Sequence, residues 1–275
     1  MHTNLRKSRE LRMEAFDSLE ELKSKNVSRK EIIDEIHAEY GISKGTIYSW
    51  YSGSNLPCGR KGEIIYCKEL FYVIGALFGD GCIYRWKPTN NYVILVGDLK
   101  FTTKYAKMVT KCTGIKTRAY IDRSKNIWFV KSNNYELFSL FKKVKGDLNY
   151  LKQLLNQINK SSALFFLEGF FDAEGCVKVI TGKERKTPKI CLDLTNINFE
   201  LLEITRSLFM QYLRIEAKYS SQKSHTGKDG YWRQAVFHLR IYKKDFIRRF
   251  FENINTTKLK ENKIPYLEKW LNNGL

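Results

Sequence analysis

The chain has 275 residues, 43% of them hydrophobic, enough for one large domain or two to three small ones. Its apolar runs are too short to span a bilayer, its first residues lack the pattern of a signal peptide, and its six cysteines and four histidines show neither C-x-x-C pairs nor metal-ligand spacing. Membrane, secreted disulfide-scaffold and zinc-site readings are thereby set aside. The formal charge of +19 points instead to nucleic acid, because a basic surface gains affinity for polyphosphate by releasing condensed counterions, and a cytoplasmic or nucleoid location is expected. Residues 1–62 carry eleven Lys and Arg against nine Asp and Glu, a net of +2, which leaves +17 for residues 63–275.

Residues 8–24 show helical spacing of Leu11, Ala15, Leu19 and Leu22. Two short helices follow around Gly41, the first opened by a capping box of Ser28 and Glu31. Ile36, Tyr40, Ile42, Ile47 and Trp50 fall where a helix-turn-helix packs its two helices, with His37 where that pattern usually has alanine. Ser43 caps the second helix, and Ser43, Lys44, Thr46 and Tyr48 are the side chains it offers to a DNA major groove. Residues 52–62 gather Gly, Ser, Asn and Pro and break every periodic pattern. The expected organisation is a helix-turn-helix DNA-binding domain at 1–55, a linker at 56–64, and two halves at 65–158 and 159–275.

The two halves repeat one another. VIGALFGDGCI, residues 73–83, and LEGFFDAEGCV, residues 167–177, align Gly75 with Gly169, Gly79 with Ala173, Asp80 with Glu174 and Gly81 with Gly175. Thr102 lies twenty-one residues beyond Gly81 and Thr195 twenty beyond Gly175; IWFVKSNNYELFSLF (127–141) then aligns with VFHLRIYKKDFIRRF (236–250). YVILVG and KICLDL read as strands. The fold class is α+β, two pseudo-symmetric αββαββα halves behind a small all-α domain.

Gly75 and Gly79, like Gly169 and Ala173, lie one helical turn apart, so each motif helix offers a stripe without bulk where another backbone can approach. The two helices are expected to pack on each other along these four residues, with Leu77, Phe78, Phe170 and Phe171 facing each half's own sheet. Their ends then bring Asp80 and Glu174 together. Two carboxylates at one point repel, and a hard divalent cation, Mg2+ or Mn2+, held also by the main-chain carbonyls of Gly79 and Ala173, relieves this. Asp172 has no acidic counterpart and is expected to support structure or face solvent.

At these residues the chain resembles the LAGLIDADG homing endonucleases of the monomeric, two-motif type, over about residues 65–255. The resemblance implies a saddle of two four-stranded antiparallel sheets in the DNA major groove, with the motif helices as its central interface. It implies that Asp80 and Glu174 bind the metal and activate water for attack on two phosphodiesters, leaving a staggered double-strand break. A basic or polar residue at a strand end near the metals is also implied: Thr103 and Lys104 in the first half, aligned with Asn196 and Ile197 in the second, where Lys178 is the substitute. Arg85, Lys87, Lys100, Arg118, Lys131, Lys189, Lys218 and Arg240 are the sheet residues expected to contact DNA, subject to strand register. Double-stranded DNA is the expected partner and no obligate protein partner is needed, since two motifs in one chain supply both halves of a site; a monomer is expected. Lacking the terminal residues of protein splicing, the chain is expected to be free-standing. The alternatives are a non-catalytic DNA-binding regulator on a retired endonuclease fold and an intron RNA maturase.

Overall fold

In the computed structural model, residues 9–25, 27–53, 63–86, 90–180, 189–227 and 229–272 are described; most of the expected linker, and Lys87, lie outside them. The first helices are α1 (Arg9–Ser24), α2 (Arg29–Tyr40) and α3 (Lys44–Tyr51). They close on a core of their own, in which Ala15, Leu19, Ile32, Ile36, Ile42, Ile47 and Trp50 are buried. The Ser28 hydroxyl accepts from the Glu31 amide and the Glu31 carboxylate accepts from the Ser28 amide, which closes the first orphan donors of α2. Gly41 ends α2 at φ 61°, a left-handed position that a side chain would resist. His37 uses its departure from alanine: ring Nδ1 meets the Ile42 carbonyl at 2.6 Å and ties the end of α2 to the turn.

Each of the two larger halves opens on an apolar helix and alternates strand pairs with helices. The first runs α4 (Lys68–Asp80), β1 (Gly81–Trp86), β2 (Asn90–Gly97), α5 (Leu99–Thr113), β3 (Ala119–Asp122), β4 (Ile127–Ser132) and α6 (Tyr135–Gly146), and α7 (Leu148–Asn156) leads out of it. The second runs α8 (Lys160–Glu174), β5 (Gly175–Ile180), β6 (Lys189–Asn196), α9 (Phe199–Leu208), β7 (Lys218–Gln222), β8 (His225–Thr226), β9 (Trp232–Arg233), β10 (Val236–Ile241) and α10 (Lys244–Asn253), then α11 (Ile264–Asn272). The sheets are antiparallel and ordered β1-β2-β4-β3 and β5-β6-β10-β7, the same order once the halves are superposed in sequence. The longer polar loop of the second half carries the small β8–β9 hairpin.

The register corrects one alignment. Gly81 pairs with Leu95 and Gly175 with Leu194, so Thr195 corresponds to Val96, while Thr102 and Thr103 lie in α5. The equal spacing of Thr102 and Thr195 is accidental: it compares a helix position with a strand position.

The helices α4 and α8 cross at backbone contact. A Cβ on Gly75 would lie 2.2 Å from the Phe166 carbonyl oxygen, and one on Gly169 would lie 2.1 Å from that of Tyr72. Gly79 meets the Ala173 methyl in the same way, at 2.4 Å. Beside this crossing, Phe78 packs on Phe141 of α6 and Phe171 on Phe250 of α10, with centroids 5.8 Å and 4.7 Å apart. These two rings meet the closing helix of their own half, where a sheet contact was expected. One continuous core joins both halves through the crossing.

Candidate active site and nucleic-acid interface

The crossing delivers the last residues of α4 and α8 to one place. A Cβ built on Gly79 would lie 2.8 Å from Cγ of Glu174, so a side chain there would occupy the carboxylate's own space. Each helix stops at a glycine in extended conformation, whose amide caps the helix: Gly81 donates to Leu77 and Gly175 to Phe171. Since strands follow at once, no helical N–H remains for the last carbonyls, among them those of Gly79 and Ala173. Glu174 is half-buried, and its carboxyl is pushed up from 4.5 to about 7, first by burial and then by the charge of Asp80. The amide of Asn196, at the end of β6, donates to Glu174 Oε1 at 3.0 Å and works in the opposite direction. Asp80, nearer solvent, is also raised: lost hydration raises it, Lys258 opposes this, and Asp98 adds to it. Among the described residues no cluster of three or more His, Cys, Asp or Glu could hold a metal. Further donors to a cation at these acids would therefore be carbonyls or a phosphate.

The cation acting on both acids is one that the repeat does not contain. Lys258 lies past α10, and its charge lowers the proton affinity of Asp80 and Glu174 alike. It is placed there by a latch. Fully buried Asp172 accepts from the Tyr72 hydroxyl at 2.8 Å, the Thr256 hydroxyl at 2.7 Å and the Thr257 amide at 2.6 Å. Lys104 belongs to this latch: its ammonium lies 2.7 Å from both Glu168 and Asp172 and also donates to the Asn255 carbonyl. It stands on α5, so the expectation that places it at a strand end beside the metal is corrected. No local pattern could reveal this, because the latch partners lie 68 and 84 residues from Asp172.

Comparison with known proteins bears on this arrangement. Residues 161–255, which contain α8, its acid and the second sheet, match the model of the LAGLIDADG-like domain. The second half is thus LAGLIDADG-like. The chain is 28% identical over 251 residues to the uncharacterized protein MJ0398 of Methanocaldococcus jannaschii, with 86% of each chain covered. Structures of mesophilic variants of the homing endonuclease I-DmoI are similar at 18% identity and TM-score 0.47, covering 70% of this chain and 93% of theirs. The N-terminal LAGLIDADG domain of DUF199/WhiA is similar at 14% identity and TM-score 0.45, covering 70% and 84%.

The face of each sheet turned away from the helices differs sharply between halves. On the second, Lys178 of β5, Asp193 of β6 and Arg240 of β10 share a face with Lys189 and Lys218. Lys178 pairs with the buried Asp193 carboxylate, which also meets Arg240 Nε at 3.2 Å and His238 Nδ1 at 3.1 Å. Lys178, expected to act beside the metal, has its ammonium paired with Asp193 within the sheet. On the first half, Lys131 and Arg118 lie on the open face or its edge, but Arg85 pairs with buried Asn91 and shares the parity of core residues. Lys100 stands on α5, not on a strand. In the N-terminal unit Ser43, Lys44 and Tyr48 are exposed and Thr46 is half-buried; Lys44 pairs with Asp34 at 2.5 Å, and the Arg29 guanidinium lies 4.0 Å over the Tyr48 ring.

The raised Glu174 carboxyl fixes a pH dependence. Its folded value exceeds its unfolded one, so its contribution to stability is complete below about 4.5 and is lost as pH rises through about 7. At 1.36 kcal/mol per unit, the unfolding free energy in metal-free buffer is expected to fall by up to roughly 3 kcal/mol from pH 4.5 to 8 on this account. Urea unfolding of wild type and Glu174→Gln across that range checks it; parallel profiles would refute it.

Proposed function

We propose that the protein is a site-specific endonuclease that cuts double-stranded DNA with a divalent metal, each motif helix contributing one acid. What carries this reading is the meeting of Asp80 and Glu174 at the crossing of two pseudo-symmetric helices, close enough for Asp80 to raise the Glu174 carboxyl. The residues present fit a hard cation, since the donors are carboxylate oxygens whose mutual repulsion it would remove, with the helix-end carbonyls of Gly79 and Ala173 next to them in the chain. Mg2+ or Mn2+ at Asp80 and Glu174 would supply Lewis acidity toward a phosphodiester and a more acidic bound water.

The chain's own groups do the rest. Asn196 holds the Glu174 carboxylate in one orientation. Lys258 offers positive charge where a phosphate must approach two acids, and the Asp172 latch fixes the segment that carries it. The second-half lysines and Arg240 hold the duplex, and the N-terminal unit, residues 1–55 ahead of a linker at 56–64, extends the contacted site through Ser43, Lys44, Thr46 and Tyr48. Halves at 65–158 and 159–275 complete one site without a second chain, so the protein works as a monomer inside the cell.

The test is cleavage of a randomised duplex library by the purified protein. Cutting at one sequence with magnesium or manganese, and not with calcium or EDTA, is expected; selective binding without cutting in any metal would leave a DNA-binding regulator. Lys258→Met is expected to lower the single-turnover rate about 100-fold while the unfolding midpoint stays within experimental error, as for a group that stabilises charge at the phosphate. A rate equal to wild type would remove Lys258 from the site.

A further inference from the structure

The open face of the first sheet combines aromatic rings with basic groups. Strand register places Tyr120, Phe129 and Val96 in one row, Lys131 and Ile94 in the next, and Tyr92 beside Tyr84 in a third, while Val93, Leu95 and Val130 fill the core on the other side. Major-groove recognition uses hydrogen-bonding side chains on base edges, and this face adds to its basic groups a set of rings that can stack. Tyr120 is 52% exposed and lies against Phe129, centroids 5.9 Å apart and planes inclined by 32°. The ammonium of Lys131 sits 3.7 Å over the Tyr92 ring. These groups line an open pocket of about 470 Å³ whose rim carries Lys116 and Arg118, a size within the roughly 300–1,000 Å³ of small-ligand clefts.

We infer that this pocket binds unpaired nucleotides, stacking bases on Tyr120, Phe129 and Tyr92 and holding their phosphates with Lys131, Arg118 and Lys116. Rings recognise a base only when its π-face is free, which pairing and stacking in a duplex prevent, and the three cations complement the backbone that must accompany each base. Among the described residues the second sheet has no comparable aromatic row: the positions in register with Val96, Phe129 and Tyr120 hold Thr195, His238 and Ser220, and the next row holds Asp193, Arg240 and Lys218. The two faces therefore differ in what they offer a nucleic acid, and the first adds a place for unpaired nucleotides. This goes beyond duplex cleavage and does not depend on it.

The experiment is fluorescence anisotropy of the full chain in EDTA, where no cutting can occur, with a dT12 strand, an rU12 strand and a 12-base-pair duplex. Wild type is expected to bind at least one of the single strands, the tighter of the two identifying the sugar. Tyr120→Ala is expected to weaken that binding about tenfold and duplex binding less than twofold, since stacking is lost at one base, while Tyr120→Phe restores it. Lys131→Ala is expected to weaken it and reduce its salt dependence by about one phosphate contact. Tyr120 is exposed, so its loss leaves the core intact. The inference is overturned if neither strand binds, if Tyr120→Ala leaves single-strand binding unchanged, or if duplex binding falls equally. Failure of cleavage in magnesium would leave this result untouched.

Discussion

Asp80→Asn and Glu174→Gln are each expected to lower double-strand cutting by at least about 100-fold at saturating magnesium, with nicked duplex the most that survives. The amides keep the shape of the acids and lose the charge that would hold a cation. Glu174→Gln also keeps an oxygen for the Asn196 donor, so the loss cannot be assigned to a collapsed side chain. The same change has a second, opposite consequence. In metal-free protein at pH 8, ionised Glu174 sits partly buried beside Asp80, and the glutamine removes that repulsion. The Glu174→Gln chain should therefore unfold at a urea concentration equal to or above that of wild type while it fails to cut. Loss of activity with loss of stability would point instead to a structural role for the acid. Retention of full cutting by either variant would end the proposal of a two-acid site.

Gly169→Ala is expected to destabilise the protein by about 2 kcal/mol or more, although alanine is the better helix former by about 1 kcal/mol. The added methyl would lie 2.1 Å from the Tyr72 carbonyl oxygen and 3.0 Å from the Ala76 amide nitrogen. Both are backbone atoms of the facing helix, so no rotamer change can relieve the contact, and the helices must separate. Separation opens the core shared by the halves and moves Asp80 and Glu174 apart, so cutting should fall together with stability. Gly45 makes the control: a Cβ there meets nothing within 4 Å, and Gly45→Ala in α3 should be neutral or slightly stabilising. Denaturant unfolding of the three proteins decides the matter, and a Gly169→Ala chain as stable as wild type would refute the close crossing.

The repeated sequence foretells the order of elements in both halves because local rules write it: apolar runs ended by Gly81 and Gly175, and β-branched alternation in YVILVG and KICLDL. It fails at register. Arg85 and Lys131 are both basic strand residues, yet they stand on opposite faces, since a shift of one residue reverses a strand. Lys104 shows the other limit. Its sequence neighbourhood is that of any amphipathic helix, and only the packing of α5 on α4, which crosses α8, gives its ammonium Glu168 and Asp172 as partners.

By itself, then, the sequence determined the acids and the glycines beside them, the strand and helix alternation, and the basic character of the larger part. Periodicity and composition act over a few residues and survive in one dimension. Tertiary structure alone decided that Asp172 anchors the C-terminal segment, that the charge of Lys258 acts on the acid pair while Lys104 and Lys178 pair with other carboxylates, and that one sheet face is aromatic where the other is charged. Those outcomes depend on contacts between residues tens of positions apart, and on which side of a strand each falls, which burial of the shared core selects.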